Sequence, residues 1–226
     1  MRGVKLIAVG GLKGSGKDTA AKMLQYILNS PKLFRTYFWY KIFNKFPGKW
    51  KITAFAKPLK EVLSVIIGVH PSQFEDRNFK EGKVIDLKSA KIYDNVELYG
   101  ISQNRFNKII KTGEPIDEPI TIRQLMQYFG TEVCRRFIGE NVWINATLNN
   151  LKGYTIVSDL RFRNELDAIH KNDGIAIYIN RDSCQYGMHP SEREVVELYN
   201  TGQFDYIINN NLQLKDLFNN LKTLSF

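Results

Sequence analysis

The chain has 226 residues with a hydrophobic fraction of 43% and an aromatic fraction of 12%, enough for a sizeable core and too much for a disordered chain. Its formal charge is +9, and one stretch carries all of it: Thr19 to Lys60 holds nine basic residues and no acid, while the remainder balances at 23 of each sign. No apolar run approaches the length of a membrane span, and the two cysteines, Cys134 and Cys184, give neither a disulfide framework nor a metal-ligand spacing. The expectation is a protein of the reducing cytoplasm without a membrane partner.

In chain order, residues 4–9 form a nearly continuous apolar run, as for a strand buried on both faces, and end in Gly10-Gly11. Ala20, Ala21, Leu24, Ile27 and Leu28 then repeat with helical spacing. A second strand is predicted over 51–55. Pro58 suits the first turn of the next helix, which runs through Leu59, Val62, Leu63 and Ile66 and stops at Gly68. Residues 71–119 are polar and weakly periodic, and read as an insert rather than core.

Thr121 is placed to cap a helix whose apolar stripe is Ile122, Leu125, Met126, Phe129, Val133 and Phe137. A further helix is predicted over 142–151. Strands over 154–158, 175–179 and 206–208 alternate with helices over 164–170, 194–199 and 214–221. Apolar strands alternating with helices predict an α/β fold with a mostly parallel, five-stranded sheet flanked by helices. The expected organisation is one domain over 1–226, with candidate inserts at 31–50 and 71–119.

Gly11-Leu12-Lys13-Gly14-Ser15-Gly16-Lys17 matches G-x-x-x-x-G-K directly after the first strand and before a helix. Glycines let backbone N–H groups turn around a phosphate, and the helix N-terminus adds its positive dipole end. Gly11, Lys13, Gly14, Ser15 and Gly16 would surround the phosphates, with Lys17 reaching the β- and γ-positions. The next residue is Asp18, where such loops carry a hydroxyl for Mg²⁺. That role falls to Thr19 or Asp18, with Thr19 preferred.

Asp159 closes the third predicted strand, where it could hold Mg²⁺ directly or through water, or cap a helix. Leu160 follows it, so the second carboxylate that would orient an attacking water is missing, which favours transfer to a bound acceptor over hydrolysis. Such a reaction needs converging cations. Arg123, Gln127 and Thr131 share one helical face, Arg135 lies further round, and the same wheel turns Arg136 into the apolar stripe, so either the helix breaks there or Arg136 reaches a buried anion. Arg161 precedes Glu165 by four residues, an ion-pair spacing if the segment is helical. Arg181 opens a polar, lid-like stretch containing His189-Pro190-Ser191-Glu192.

Six pieces together resemble the deoxynucleoside monophosphate kinases of bacteriophages and related viruses, a branch of the P-loop kinases. They are GLKGSGKDTAA (11–21), FAKPLKE (55–61), IRQLMQYFGTE (122–132) with Trp143 downstream, VSDLRFRNELDAI (157–169), HPSE (189–192) and FDYIINN (204–210). The resemblance is weak over 29–50 and 82–119. It implies a P-loop kinase fold with an inserted acceptor-binding and lid region, and transfer of the ATP γ-phosphate to a deoxynucleoside 5′-monophosphate with Mg²⁺. Carried over by position, Gly14, Gly16, Lys17 and Thr19 hold ATP, and Asn210 follows a strand whose backbone contacts adenine. Asp159 is the acid at the strand end. Arg123, Gln127 and Arg135 address the acceptor nucleotide and Lys57 or Lys60 its phosphate. Arg161, Glu165 and Arg181 lie near the transferred group. The resemblance also leans towards a homodimer and, for a viral protein, the host cytoplasm.

Two other readings share these features. Another small-acceptor P-loop kinase, acting on dephospho-coenzyme A or phosphomevalonate, would have the same loop, acid and lid. A nucleic-acid-binding P-loop NTPase is suggested by residues 31–51, where eight aromatics stand among six basic residues with no acid. The same stretch could instead pack its aromatics on the core or across a dimer, which is the preferred expectation.

Overall fold

The structure is a computed structural model that describes residues 5–94, 96–184 and 190–224. The chain divides into two compact units, Met1–Phe55 with Ala146–Phe226, and Ala56–Asn145.

The first unit is built on a five-stranded sheet of β1 (Leu6–Gly10), β2 (Lys51–Thr53), β6 (Thr155–Leu160), β7 (Ile175–Asn180) and β8 (Tyr206–Asn209). Its order is β2-β6-β1-β7-β8, and every pairing is parallel. The central strand β1 is buried at all five positions, as its uninterrupted apolar sequence requires. Alternation divides its side chains between two layers. Ile7 and Val9 pack with α1 (Lys17–Asn29) and α11 (Leu214–Lys222) through Leu24, Leu217 and Phe218. Leu6 lies on the opposite face, near Ile169 of α9 (Arg163–Lys171) and Gly174. The five strands begin and end within two residues of the predicted limits. One shift matters: β6 runs on to Leu160, so Asp159 lies inside the strand rather than after it.

Segment 31–50 forms a short 3₁₀ turn and the helix α2 (Tyr37–Phe43), capped by Thr36, whose side chain accepts from the Trp39 amide. Tyr40 meets Tyr26 edge-on at 5.3 Å and Phe218 at 5.5 Å, and Tyr37, Trp39 and Phe46 join the same core. Asn29 stitches the segment to α1: its carboxamide accepts from the Trp50 amide at 3.0 Å and donates to the carbonyls of Phe46 and Trp50. The aromatics therefore mainly buttress the helix that follows the phosphate loop. Phe38, at 65% exposure, points outward with Leu33 and Ile42.

The second unit holds α3 (Ala56–Ile67), a 3₁₀ turn (Pro71–Glu75), α4 (Arg77–Gly82), β3 (Val84–Asp86), β4 (Lys91–Tyr93), α5 (Val96–Tyr99), α6 (Gln103–Thr112), β5 (Ile120–Thr121), α7 (Ile122–Gln127) and the start of α8 (Val142–Leu148). Its three strands make a small antiparallel sheet, β4-β3-β5, with Ile85 opposite both Ile92 and Ile120. Residues 71–119 are thus not coreless. Phe74, Phe79, Ile85, Phe106 and Ile109 close on Leu59, Leu63, Ile122 and Leu125 in a core of their own. These apolar residues are spread over elements of three to ten residues, too short to show a period.

Thr121 caps α7 as expected, its hydroxyl accepting from the Gln124 amide while Gln124 returns a bond to the Thr121 amide. Beyond Gln127 the expected α-helix becomes a π-helix over Tyr128–Ile138, in which the Gly139 amide donates to the Cys134 carbonyl. The wider winding changes the buried face. Gly130 and Cys134 turn inward, Phe137 is 79% exposed, and Arg136 reaches solvent beside Glu132 instead of entering an apolar stripe. Gly130 fixes the register: a Cβ there would lie 2.9 Å from Leu59, and Trp143 Nε1 donates to its carbonyl at 2.9 Å. Among the described residues no helix is long and apolar enough to cross a membrane.

Candidate active site

The phosphate loop stands where the sequence puts it, between β1 and α1. Gly11, Gly14 and Gly16 all have positive φ, at 147°, 86° and 93°, values that L side chains rarely adopt. A Cβ on Gly11 would also lie 2.7 Å from the Ile179 carbonyl, and one on Gly16 would overlap the Asn210 carboxamide. The loop's outward carbonyls are engaged. Leu12 accepts from the Ser15 amide and from Lys17 Nζ, Gly16 from the Ala20 amide, and Ser15 from Asn210 Nδ2 at 2.8 Å. Ser15 Oγ is buried with no hydrogen-bond partner among the described residues, an orphaned donor and acceptor inside the loop.

Lys17 is 7% exposed. Burial holds its pKa below the ordinary lysine value, and the nearby Arg161 guanidinium lowers it further; Asp18, Asp159 and Glu192 act in the opposite direction. A buried cation whose charged form is disfavoured is a site prepared for an anion. Thr19 lies in the first turn of α1, partly buried, and Asp18 and Lys13 are exposed beside it.

Asp159 Oδ1 accepts the Phe55 amide at 2.7 Å, which fixes the carboxylate at the end of the strand pair β2–β6. Arg161 leaves the end of β6, and Glu165 accepts from its backbone N–H at 2.8 Å and from that of Phe162 at 3.1 Å. Glu165 is only 2% exposed and supports the backbone of Arg161 and the start of α9. Arg181, after β7, places its guanidinium 3.5 Å from the Gly14 carbonyl. His189 lies outside the described residues, as do the four residues before it in the expected lid.

The remaining candidates belong to the second unit. Arg123 pairs with Glu81 at 2.9 Å, and its Nε is buried without a partner among the described residues. Lys60 meets Glu75 at 2.6 Å, whereas Lys57 is exposed and 3.8 Å from Glu61, a weak helix-surface pair. Gln127 and Arg135 are partly buried on the same helical stretch. Sequence reasoning missed Lys80. Its pKa is lowered first by burial and then by the adjacent Lys60 and Arg123, so three cations crowd one place, offset by Glu75 and Glu81. Nothing in the spacing of 60, 80 and 123 announces that cluster; the fold of the second unit creates it.

Residues 54–221 match the family model described as deoxynucleotide monophosphate kinase, which covers most of the chain. The chain belongs to the deoxynucleotide monophosphate kinase family. Within that family it is similar to the deoxynucleoside-5′-monophosphate kinase of Escherichia phage T5, at 26% identity over 218 residues, covering 84% of this chain and 79% of that protein. It is also similar to the deoxynucleotide monophosphate kinase of Enterobacteria phage T4, at 23% identity, covering 97% of this chain and 98% of that protein. Among solved structures, a dephospho-CoA kinase from Campylobacter jejuni aligns over 97% of this chain and 94% of its own, with 12% identity and a TM-score of 0.38. The chain is accordingly a phosphotransferase of the deoxynucleotide monophosphate kinase type. The predicted α/β fold with a parallel five-stranded sheet holds as well.

Proposed function

We propose that the chain transfers the γ-phosphoryl group of ATP to a deoxynucleoside 5′-monophosphate, giving the diphosphate and ADP, with Mg²⁺ as the metal. The observation that carries this reading is Lys17, a buried cation whose pKa is depressed inside a glycine loop at a helix N-terminus. An incoming triphosphate would supply the missing counter-charge, and the orphaned Ser15 hydroxyl fits the same occupant. Gly11, Lys13, Gly14, Ser15, Gly16 and Asp18 surround that position, and the backbone near Asn210 borders it.

The donor set suits Mg²⁺. Mg²⁺ usually takes one or two protein oxygens with phosphates and waters, which a hydroxyl and a carboxylate beside a phosphate loop can supply. Thr19 and Asp159 would hold it, where it neutralises phosphate charge. Lys17 then follows the charge that develops on the transferred group, joined by Arg161, which Glu165 orients, and by Arg181. Arg123, Lys60 and Lys80 would grip the acceptor phosphate, with Gln127 and Arg135 on its base or sugar; Lys57 is too exposed to contribute strongly. The bulk of the aromatic segment is spent in the core, which favours small nucleotides over nucleic acid as partners. With viral relatives, the host cytoplasm is the expected place of action, and the homodimer is retained as part of the reading.

An acceptor screen tests it. Purified protein with ATP and Mg²⁺ should release ADP in the presence of at least one of dGMP, dTMP, dCMP and dAMP, and more slowly with dephospho-coenzyme A or phosphomevalonate. Turnover with one of the latter two alone would overturn the acceptor assignment.

A further inference from the structure

We propose that the Asn210 side chain is a positioning residue for the phosphate loop and not a reader of the donor base. The proposal rests on the ATP-binding reading above and deepens it.

Asn210 follows β8 and is 6% exposed. Its backbone amide donates to the Asn180 carbonyl at 2.7 Å, and its Nδ2 donates to the Ser15 carbonyl at 2.8 Å, across 195 residues of chain. Its neighbours fix that position. Asn211 Nδ2 donates to Asp182 Oδ2 at 2.7 Å while the Asp182 amide donates back to Asn211 Oδ1 at 2.9 Å. Asn180 Nδ2 is shared between Asn209 Oδ1 and Asp182 Oδ1, at 3.1 and 3.2 Å. The two loops that follow β7 and β8 are thus laced together, and Asn210 projects from them onto the phosphate loop, beside Arg181.

The consequence follows from peptide geometry. In a trans peptide the C=O of one residue and the N–H of the next point in opposite directions. Holding the Ser15 carbonyl towards Asn210 therefore aims the Gly16 N–H the other way, away from Asn210. Gly16 is the N-cap of α1, at the helix N-terminus, where an N–H contributes to anion binding. The same contact explains why position 16 excludes a side chain: a Cβ there would occupy the carboxamide's place. With one N–H of its buried carboxamide committed to the Ser15 carbonyl, Asn210 acts on phosphates through the loop.

Inorganic tripolyphosphate separates the two roles, because it has phosphates and no base. Asn210→Ala removes the carboxamide, and Asn210→Leu removes the donor while keeping a similar volume. Each strands a buried carbonyl, so each is expected to weaken both ATP and tripolyphosphate binding by about tenfold. The ATP-to-GTP preference and the KM for the acceptor should stay as in the wild type. Weaker ATP binding with unchanged tripolyphosphate binding would overturn the proposal in favour of base reading. A lowered melting temperature with unchanged binding of both, or failure of both variants to melt cooperatively, would reduce Asn210 to a structural role and overturn it too. If the wild type itself binds neither ATP nor tripolyphosphate, the ATP reading fails instead, and the proposal with it.

Discussion

Lys17 Nζ donates to the carbonyl of Leu12, five residues back across its own loop, at 3.3 Å. The ammonium is buried and its charged form disfavoured, a cost the fold carries until an anion arrives. Because the folded pKa is lowered, the unfolded chain holds more protons between that depressed value and the ordinary lysine value. Stability therefore rises with pH through that window, and below it the penalty is fully present. Lys17→Met is expected to raise the melting temperature of the ligand-free protein at neutral pH and to lower kcat by about 10²-fold or more. Melting curves of both proteins from pH 7 to pH 10 check the sign: the gap between them should shrink as pH rises.

Asp159 offers a cleaner separation of charge from shape. Asp159→Asn keeps an oxygen able to accept the Phe55 amide but removes the carboxylate charge. It should fold normally and need at least about tenfold more Mg²⁺ for half-maximal activity. Asp159→Ala also strands the Phe55 amide and should lose roughly 1–3 kcal/mol of stability. Magnesium titrations and denaturant unfolding of the two variants distinguish these effects.

In the second unit, Arg123 joins one guanidinium nitrogen to Glu81, and its Nε is buried without a partner among the described residues; the proposed reading makes it an acceptor-phosphate ligand. Arg123→Lys cannot reproduce that planar pair of donors. It is expected to raise the KM for the nucleoside monophosphate by about tenfold and to leave the KM for ATP within about twofold. Lys80→Ala should shift the same constant in the same direction. Initial-rate kinetics with each substrate varied in turn provide the check.

The basic aromatic segment yields a stability contrast. Phe218 is fully buried against Tyr37 and Tyr40, so Phe218→Ala should cost about 3–5 kcal/mol. Phe38 is largely exposed, and Phe38→Ser should change stability by no more than about 0.5 kcal/mol. Urea unfolding of both variants tests whether α2 serves the core.

The legible parts of the sequence were those with local causes. Leu6–Gly10 is buried on both faces and reads as an unbroken apolar run, and the glycines that follow are demanded by positive φ. Thr121 and Gln124 form a cap within four residues. What escaped had distant causes. The π-helix arises because Gly130 packs on Leu59 and is held by Trp143, contacts that a helical wheel does not contain. Lys80 joins Lys60 and Arg123 only after the second unit folds. Glu165 also accepts from the backbone amides of Arg161 and Phe162, a role that its four-residue spacing from Arg161 does not announce. The Asn210 bond to Ser15 spans nearly the whole chain and has no local signature.

The most direct test follows the phosphoryl group itself. ATP labelled in its γ-phosphate, incubated with the protein, Mg²⁺ and the four deoxynucleoside monophosphates, is expected to pass its label to one or more deoxynucleoside diphosphates, and Lys17→Met should abolish the transfer. Label recovered only as inorganic phosphate, or unchanged in ATP with all four acceptors present, would contradict it.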